Sequence, residues 1–305
     1  MPSEPVMRTQ ALRADVLMLI TAMIWGSAFI AQRAGMDSIG PFLFTGLRFA
    51  LGALTLIPVL LVLHRRARTP ISLDRRLVIG GCLMGLLLSI GINLQQVGLL
   101  FTSVTNSGFI TGLYVIVVPI LGLLFGERTG RGTWLGACLA VAGMCLLSIG
   151  ENFQVASGDW LQLAGAFAWG AHVLVVGHFA SRHDPMLLSI LQFAFCAAVS
   201  LTLALLFEPI QAQNIIQAAP ALLYGGIIAA GIGYTLQVVA QRDAIASHAA
   251  IIFSLEAVFA AFFGAWLLDE SLTVRGYLGC ALMFTGMLVA QLWPRKAVVE
   301  PKVTN

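Results

Sequence analysis

Glu256 is the residue of this chain that stands where chemistry is costliest. It lies in the apolar run 247–268, about nine residues or ~13 Å from the start of the helix such a run predicts. It is the one acid well inside any such run. A carboxyl there is suited to taking up and releasing protons, so proton coupling is the sharper expectation. A neutral Glu256 hydrogen-bonded inside a bundle, or paired with Arg48 or His248, is the plainer one. Arg48 lies about seven residues into another apolar run, 41–63. Binding a solute carboxylate is one use for it. Snorkelling outward or bonding a backbone carbonyl is the other.

Uncharged polar side chains form stripes on the remaining runs. Gly85, Ser89, Asn93 and Gln96 follow steps of four, four and three, which puts them on one helix face. Tyr234, Gln237 and Gln241 form a similar stripe. Ser107, Thr111 and Tyr114 share a third run, and Ser254 precedes Glu256 and aligns with Thr111. Thr21, Trp25 and Gln32 come from the first run, and Trp169 and His172 from the sixth. If these stripes converge, they enclose a wet chamber of amide, hydroxyl and aromatic groups with little fixed charge, suited to a small zwitterion. The expected cavity residues are therefore Trp25, Asn93, Gln96, Thr111, Tyr114, Trp169, His172, Tyr234, Gln237 and Ser254, with Glu256 for protons. Interhelical hydrogen bonding is the competing use of every hydroxyl and amide in this set. Trp25 and Trp169 sit about ten residues into their runs, far from the interfacial depth where Trp usually anchors, so stacking on a solute competes with packing.

Other chemistries find no support. The spans hold no HExxH, GxSxG or paired-Asp constellation, so a catalytic role is not expected. Cys82, Cys138, Cys145, Cys196 and Cys280 all fall in apolar stretches without CxxC or Cys/His spacing and read as small packing residues. No metal or cofactor is expected, and no span carries a lysine for a Schiff base. No basic, aromatic-interleaved patch suggests nucleic acid.

The elements that must carry these residues follow from composition. Of 305 residues, 59% are hydrophobic and 10% charged, against about 25% charged in a soluble chain. Such a chain has too little polar surface to face water and needs lipid. Ten windows suit a bilayer-crossing helix: 15–33, 41–63, 77–97, 104–125, 131–149, 159–180, 185–207, 219–240, 247–268 and 274–293. Continuous apolar runs rather than alternation indicate helices, not a barrel. The first run is too long for a signal-peptide core and is expected to stay as an uncleaved anchor. With residues 1–14 placed in the cytoplasm, the inside segments hold 14 of the 17 basic residues, including Arg65, Arg66, Arg68, Arg75 and Arg76. The outside segments hold only Arg33 and Arg275. This asymmetry places both tails, 1–14 and 294–305, in the cytoplasm.

The chain also repeats itself at an offset of 143–144. Trp25-Gly26 matches Trp169-Gly170, and Pro41 through Arg48-Phe49-Ala50 matches Pro185 through Gln192-Phe193-Ala194. Residues 126–144 match 269–287, with identities at Glu127/Glu270, Leu135/Leu278, Gly136/Gly279, Leu139/Leu282, Gly143/Gly286 and Met144/Met287. Five helices per unit is odd, so units 15–149 and 159–293 are expected to cross the membrane in opposite senses. Two similar halves so arranged can exchange conformations around one midplane site. The expected fold is therefore an all-α integral membrane protein of ten transmembrane helices, in two inverted five-helix repeats around a central cavity. Helix-end Glu127 and Glu270 read as caps or dipole partners of the next helix. The pairs Gly81/Gly85, Gly108/Gly112 and Gly132/Gly136 read as close helix contacts.

The segments 24–35 (IWGSAFIAQRAG), 41–54 (PFLFTGLRFALGAL), 106–127 (NSGFITGLYVIVVPILGLLFGE) and 254–273 (SLEAVFAAFFGAWLLDESLT), in this order over nearly the whole chain, resemble the EamA-type unit of the drug/metabolite transporter superfamily. The resemblance implies a carrier of small metabolites in a bacterial inner membrane, compatible with a monomer. The similar bacterial proteins are often amino-acid exporters. The implied reading is export of amino acids, with broad specificity, by alternating access. One departure stands out. The family often has Pro after the Glu of the ninth helix, whereas Ala257 follows Glu256 here, so a straighter ninth helix is expected.

Overall fold

The computed structural model describes residues 4–67, 70–124, 126, 129–148, 156–267 and 273–293, without the side chains of 4–8, 147, 148 and 291. Arg68, Glu127, Arg128, Glu270 and the tail 294–305 lie outside the described residues. Among those described, the chain is all helix and turn. The main helices are α1 (Glu4–Met36), α2 (Pro41–Ala67), α3 (Arg75–Gly98), α4 (Val104–Leu124), α5 (Arg131–Ser148), α6 (Ser157–Ala180), α7 (Pro185–Phe207), α8 (Ala219–Ala240), α9 (Ala246–Leu267) and α10 (Val274–Leu292). A six-residue helix, Ala212–Gln217, leads into α8. Because α1 begins at Glu4, it takes in most of the segment expected to be a polar tail.

Among the described residues, eight of these helices are long and apolar enough to cross a membrane, and α5 and α10 are apolar helices with shorter described stretches. The exposed surface carries many large apolar side chains. Leu205, Phe207, Leu124 and Trp266 are all exposed, as a lipid-facing surface requires.

Local signals set the helix ends. Asp74 Oδ1 accepts from Leu77 N at 2.8 Å and starts α3. Asp184 Oδ1 accepts from Met186 N and Leu187 N, with Pro185 at the first position, and starts α7. The start of α2 is capped from a distance: Glu208, at the end of α7, accepts from Phe42 N at 2.7 Å and Leu43 N at 2.8 Å. Gly40 is required there, since a Cβ would lie 2.2 Å from the Glu208 carboxyl carbon.

Both α4 and α9 break in mid-course. In α4 the break is at Leu113, whose N–H turns back to Ile110 O at 3.1 Å. In α9 it is at Ser254–Leu255, where Leu255 N bonds Ile252 O and Ala257 N bonds Ser254 O. The expected straighter α9 is thus overturned. No proline is needed, because Ser254 Oγ donates to Ile251 O at 2.8 Å and tightens the turn there. The two breaks make Tyr114 and Glu256 the first residues of new helical segments. Helix α8 carries a wide π-helical stretch, Tyr224–Tyr234, over the glycine-rich sequence YGGIIAAGIGY.

Packing pairs α2 with α7 and α5 with α10; α3 packs on α6 and α7, α8 on α1 and α2, α4 on α6, and α9 on α1. The α5–α10 seam is tight. A Cβ on Gly136 would meet Gly286 O at 2.6 Å, and one on Gly143 would meet Gly279 O at 2.6 Å. The repeated Trp-Gly pair divides its labour. Gly26 lies against Glu256 O and Gly170 against Val117, so each glycine seats its helix on a neighbour while the adjacent Trp turns inward.

Candidate functional site

The inward-facing residues meet around Tyr234. Its ring lies 4.6 Å from Trp25 and 6.1 Å from Trp169, the latter nearly parallel. Phe49 and Phe193 close the cluster at 5.6 and 6.2 Å. Beside this aromatic slab is a cavity whose wall includes Trp25, Gln32, Arg48, Gln95, Thr111, Tyr114, Trp169, Tyr234, Gln237 and Glu256, with Phe29, Ile92, Val173 and Ala229 as its apolar part. Its free volume is about 30 Å³, room for one or two waters.

The polar wall is sparsely satisfied. Thr111 Oγ1 donates to Gln162 Oε1 at 3.4 Å, and Gln162 Nε2 donates to Gln95 O at 2.9 Å, tying α4, α6 and α3. The Tyr114 hydroxyl approaches the Glu256 carboxyl, yet neither Tyr114 Oη nor Glu256 Oε1 completes a well-formed hydrogen bond. Gln237 Oε1, Trp25 Nε1, Trp169 Nε1 and the Nε and Nη2 of Arg48 are also buried without partners. Bare atoms also lie away from the wall, at Gln96, Ser189 and Gln192 Nε2 among others, so those on the wall differ in facing a space where a solute or water can meet them. Among the described residues no group of three or more His, Cys, Asp or Glu could hold a metal ion.

The model of the EamA-like transporter family matches this chain twice, over residues 12–149 and 156–291. The chain belongs to that family. An uncharacterized transporter of Archaeoglobus fulgidus is 30% identical over 92% of this chain and 86% of its own length. The uncharacterized inner membrane transporter YedA of Escherichia coli K12 is 28% identical over 93% of each chain. A solved crystal structure shares the fold with a TM-score of 0.75 at 19% identity, covering 92% of this chain and 98% of the other. This EamA-like chain is therefore a multi-span membrane transporter of small molecules.

Of the residues singled out from sequence, Trp25, Thr111, Tyr114, Trp169, Tyr234, Gln237 and Glu256 share the wall. Asn93, Gln96, His172 and Ser254 are buried outside it. Asn93 Nδ2 donates to Ser89 O at 2.8 Å and to Ser200 Oγ at 2.9 Å, a tie from α3 to α7. His172 Nε2 lies 2.9 Å from Gln192 Oε1, a tie from α6 to α7. Ser254 serves the α9 break. The polar stripe of α3 thus faces α7, where Gly85 packs on Phe195. The wall receives Ile92 and Gln95 instead, three apart and one position round from that stripe. Gln95 was missed because its own face is otherwise apolar. Arg48 is on the wall and not at the lipid. His248 pairs with Asp15 at 3.0 Å, so it is not the partner of Glu256.

Proposed function

We propose that this EamA-like transporter exports amino acids and related metabolites, with broad specificity, by alternating access between two inverted five-helix repeats, working in a bacterial inner membrane with both termini in the cytoplasm. The observation that carries the reading is the cavity, whose wall draws on both halves. Trp25, Arg48, Thr111 and Tyr114 come from one unit and Trp169, Tyr234, Gln237 and Glu256 from the other. Two similar halves sharing one site is what an exchange of conformations requires.

The helix neighbours support the repeat. Exchanging α1 with α6, α2 with α7, and so on, leaves α2–α7 and α5–α10 unchanged. It turns α3–α6 into α8–α1, α3–α7 into α8–α2, and α4–α6 into α9–α1, all of which are packed pairs. The two glycine contacts of the α5–α10 seam interconvert in the same way. Two family matches in tandem agree with it. The arginine-rich end of the bundle supports the orientation. A chamber with room for one or two waters is smaller than an amino acid, so on this reading it widens toward one face to load and toward the other to release. Glu256 is the residue for proton coupling, since it is the one buried acid on the wall with an oxygen left free.

Counterflow into liposomes with a panel of labelled amino acids tests this reading. Saturable exchange by the wild type is expected. Under a pH gradient, Glu256→Gln should lose gradient-driven accumulation even at solute concentrations where its exchange is still measurable. A flat response across the panel overturns the amino-acid assignment, and unchanged accumulation by the variant removes Glu256 from coupling.

A further inference from the structure

An arginine and a glutamate share the chamber wall, with no ion pair between them among the described residues. Arg48 comes from α2, about 10 Å from its start, and is 3% exposed. Its stem passes Gly225, where a Cβ would sit 3.4 Å from Arg48 Cδ. Its guanidinium lies over the rings of Phe44 and Phe49, at 5.5 and 5.1 Å from their centroids. No ion pair holds it among the described residues, and Nε and Nη2 are bare. Glu256 comes from the break of α9, is 4% exposed, and has Oε1 bare. Tyr234 lies within electrostatic reach of both.

An uncompensated buried charge is among the costliest things a fold can hold. The position equivalent to Arg48 is Gln192, a neutral group whose Oε1 lies 2.9 Å from His172 Nε2 while its Nε2 is bare. A guanidinium presents forked donors to a carboxylate, and a carboxylate accepts from an ammonium. An anionic solute would satisfy Arg48 and be repelled by Glu256. A cation would do the reverse. A molecule carrying both charges completes both.

Building on the carrier reading above, we propose that Arg48 and Glu256 are the two recognition poles of the transport site. Arg48 takes the carboxylate of the solute and Glu256 its ammonium. The preferred class is the neutral amino acids with an apolar or aromatic side chain, which lies against the Trp25–Tyr234–Trp169 slab and the Phe29, Ile92 and Val173 wall.

The test is counterflow of labelled leucine by the full chain in liposomes, with three unlabelled competitors. These are leucine, leucinamide (no carboxylate) and 4-methylpentanoate (no ammonium). In the wild type, leucine should compete at least about tenfold better than either analogue. Arg48→Gln should erase the preference over leucinamide alone, and Arg48→Lys should restore part of it. Glu256→Gln should erase the preference over 4-methylpentanoate alone. For a variant too slow to assay, the rise in melting temperature on adding the same solutes replaces flux. Variants that keep the wild-type preferences overturn the poles, as does a wild type that accepts a one-charge analogue as well as leucine. Both outcomes leave the carrier reading standing. A wild type that neither exchanges nor is stabilised by any amino acid overturns the poles and the amino-acid assignment together.

Discussion

Arg48 and Gln192 occupy the same place in the two halves of the sequence and have opposite fates. Gln192 is fully buried on α7 and its Oε1 is held by His172 Nε2 at 2.9 Å. Arg48 is as deep on α2 and holds nothing with Nε or Nη2. The same contrast recurs between Asn93 and Gln237, also equivalent by the offset of 144. Asn93 is bonded to Ser89 and Ser200, whereas Gln237 turns a free Oε1 to the cavity. In each pair one member ties helices together and the other keeps a bare polar atom on the cavity wall; the tied member comes from the second half at Gln192, whose Nε2 is bare as well, and from the first half at Asn93.

The largest effect expected from this contrast is a difference of sign. Replacing Arg48 with Met removes an unpaired buried charge and should raise the stability of the solute-free protein by about 1–3 kcal/mol while abolishing amino-acid exchange. Replacing His172 with Leu strips Gln192 of its partner and should lower stability by about 1 kcal/mol. Melting temperatures in one detergent, read beside counterflow in liposomes, give both numbers. A loss of stability in Arg48→Met would mean that the guanidinium holds the fold together after all, and the contrast would collapse.

The ties themselves are a smaller test. Asn93→Leu should cost about 0.5–1 kcal/mol, the usual worth of an interhelical hydrogen bond in a membrane. Gln237→Leu should cost nothing measurable in stability, because Gln237 Oε1 has no protein partner to lose, and should weaken exchange. Equal destabilisation by the two would erase the distinction between tie and wall.

How far the sequence could be read follows the same line. Apolar runs and arginine placement are one-dimensional properties, so the helices and their order were legible. The last helix of each half was legible too: α5 and α10 end within a residue of the runs 131–149 and 274–293. The breaks were not legible. At Ser254 neither Pro nor Gly marks the turn, and only the hydroxyl bond to Ile251 O makes it. Polar stripes located buried faces, but a stripe on α3 meets α7 as readily as a cavity, and periodicity has no term for which neighbour lies opposite. Gln95, alone on an apolar face, gave no stripe at all. The Glu208 cap on α2 joins positions 165 and 166 residues apart and leaves no local trace.

The smallest expected effect lies outside the chamber, at a carboxylate of the satisfied kind. Asp74 is exposed, and acceptance of the Leu77 N–H, first, with the nearby His183 and Arg76 charges after it, holds its carboxyl below the usual range. Between the lowered native value and the ordinary one, the unfolded chain therefore binds more protons than the folded chain. The contribution of this cap is fully present above about pH 4 and is lost as pH falls through the native value. Melting temperatures of the wild type and Asp74→Ala, measured from about pH 7 downward, should differ slightly at neutral pH and converge in acid. Asp74→Asn, which still caps, should lie between them and show less convergence. Exchange at neutral pH should be the same in all three, since Asp74 touches no residue of the cavity wall. A gap that persists undiminished in acid would show that the charge of Asp74 adds nothing to the cap, and that solvent already screens what the bare carboxylate contributes.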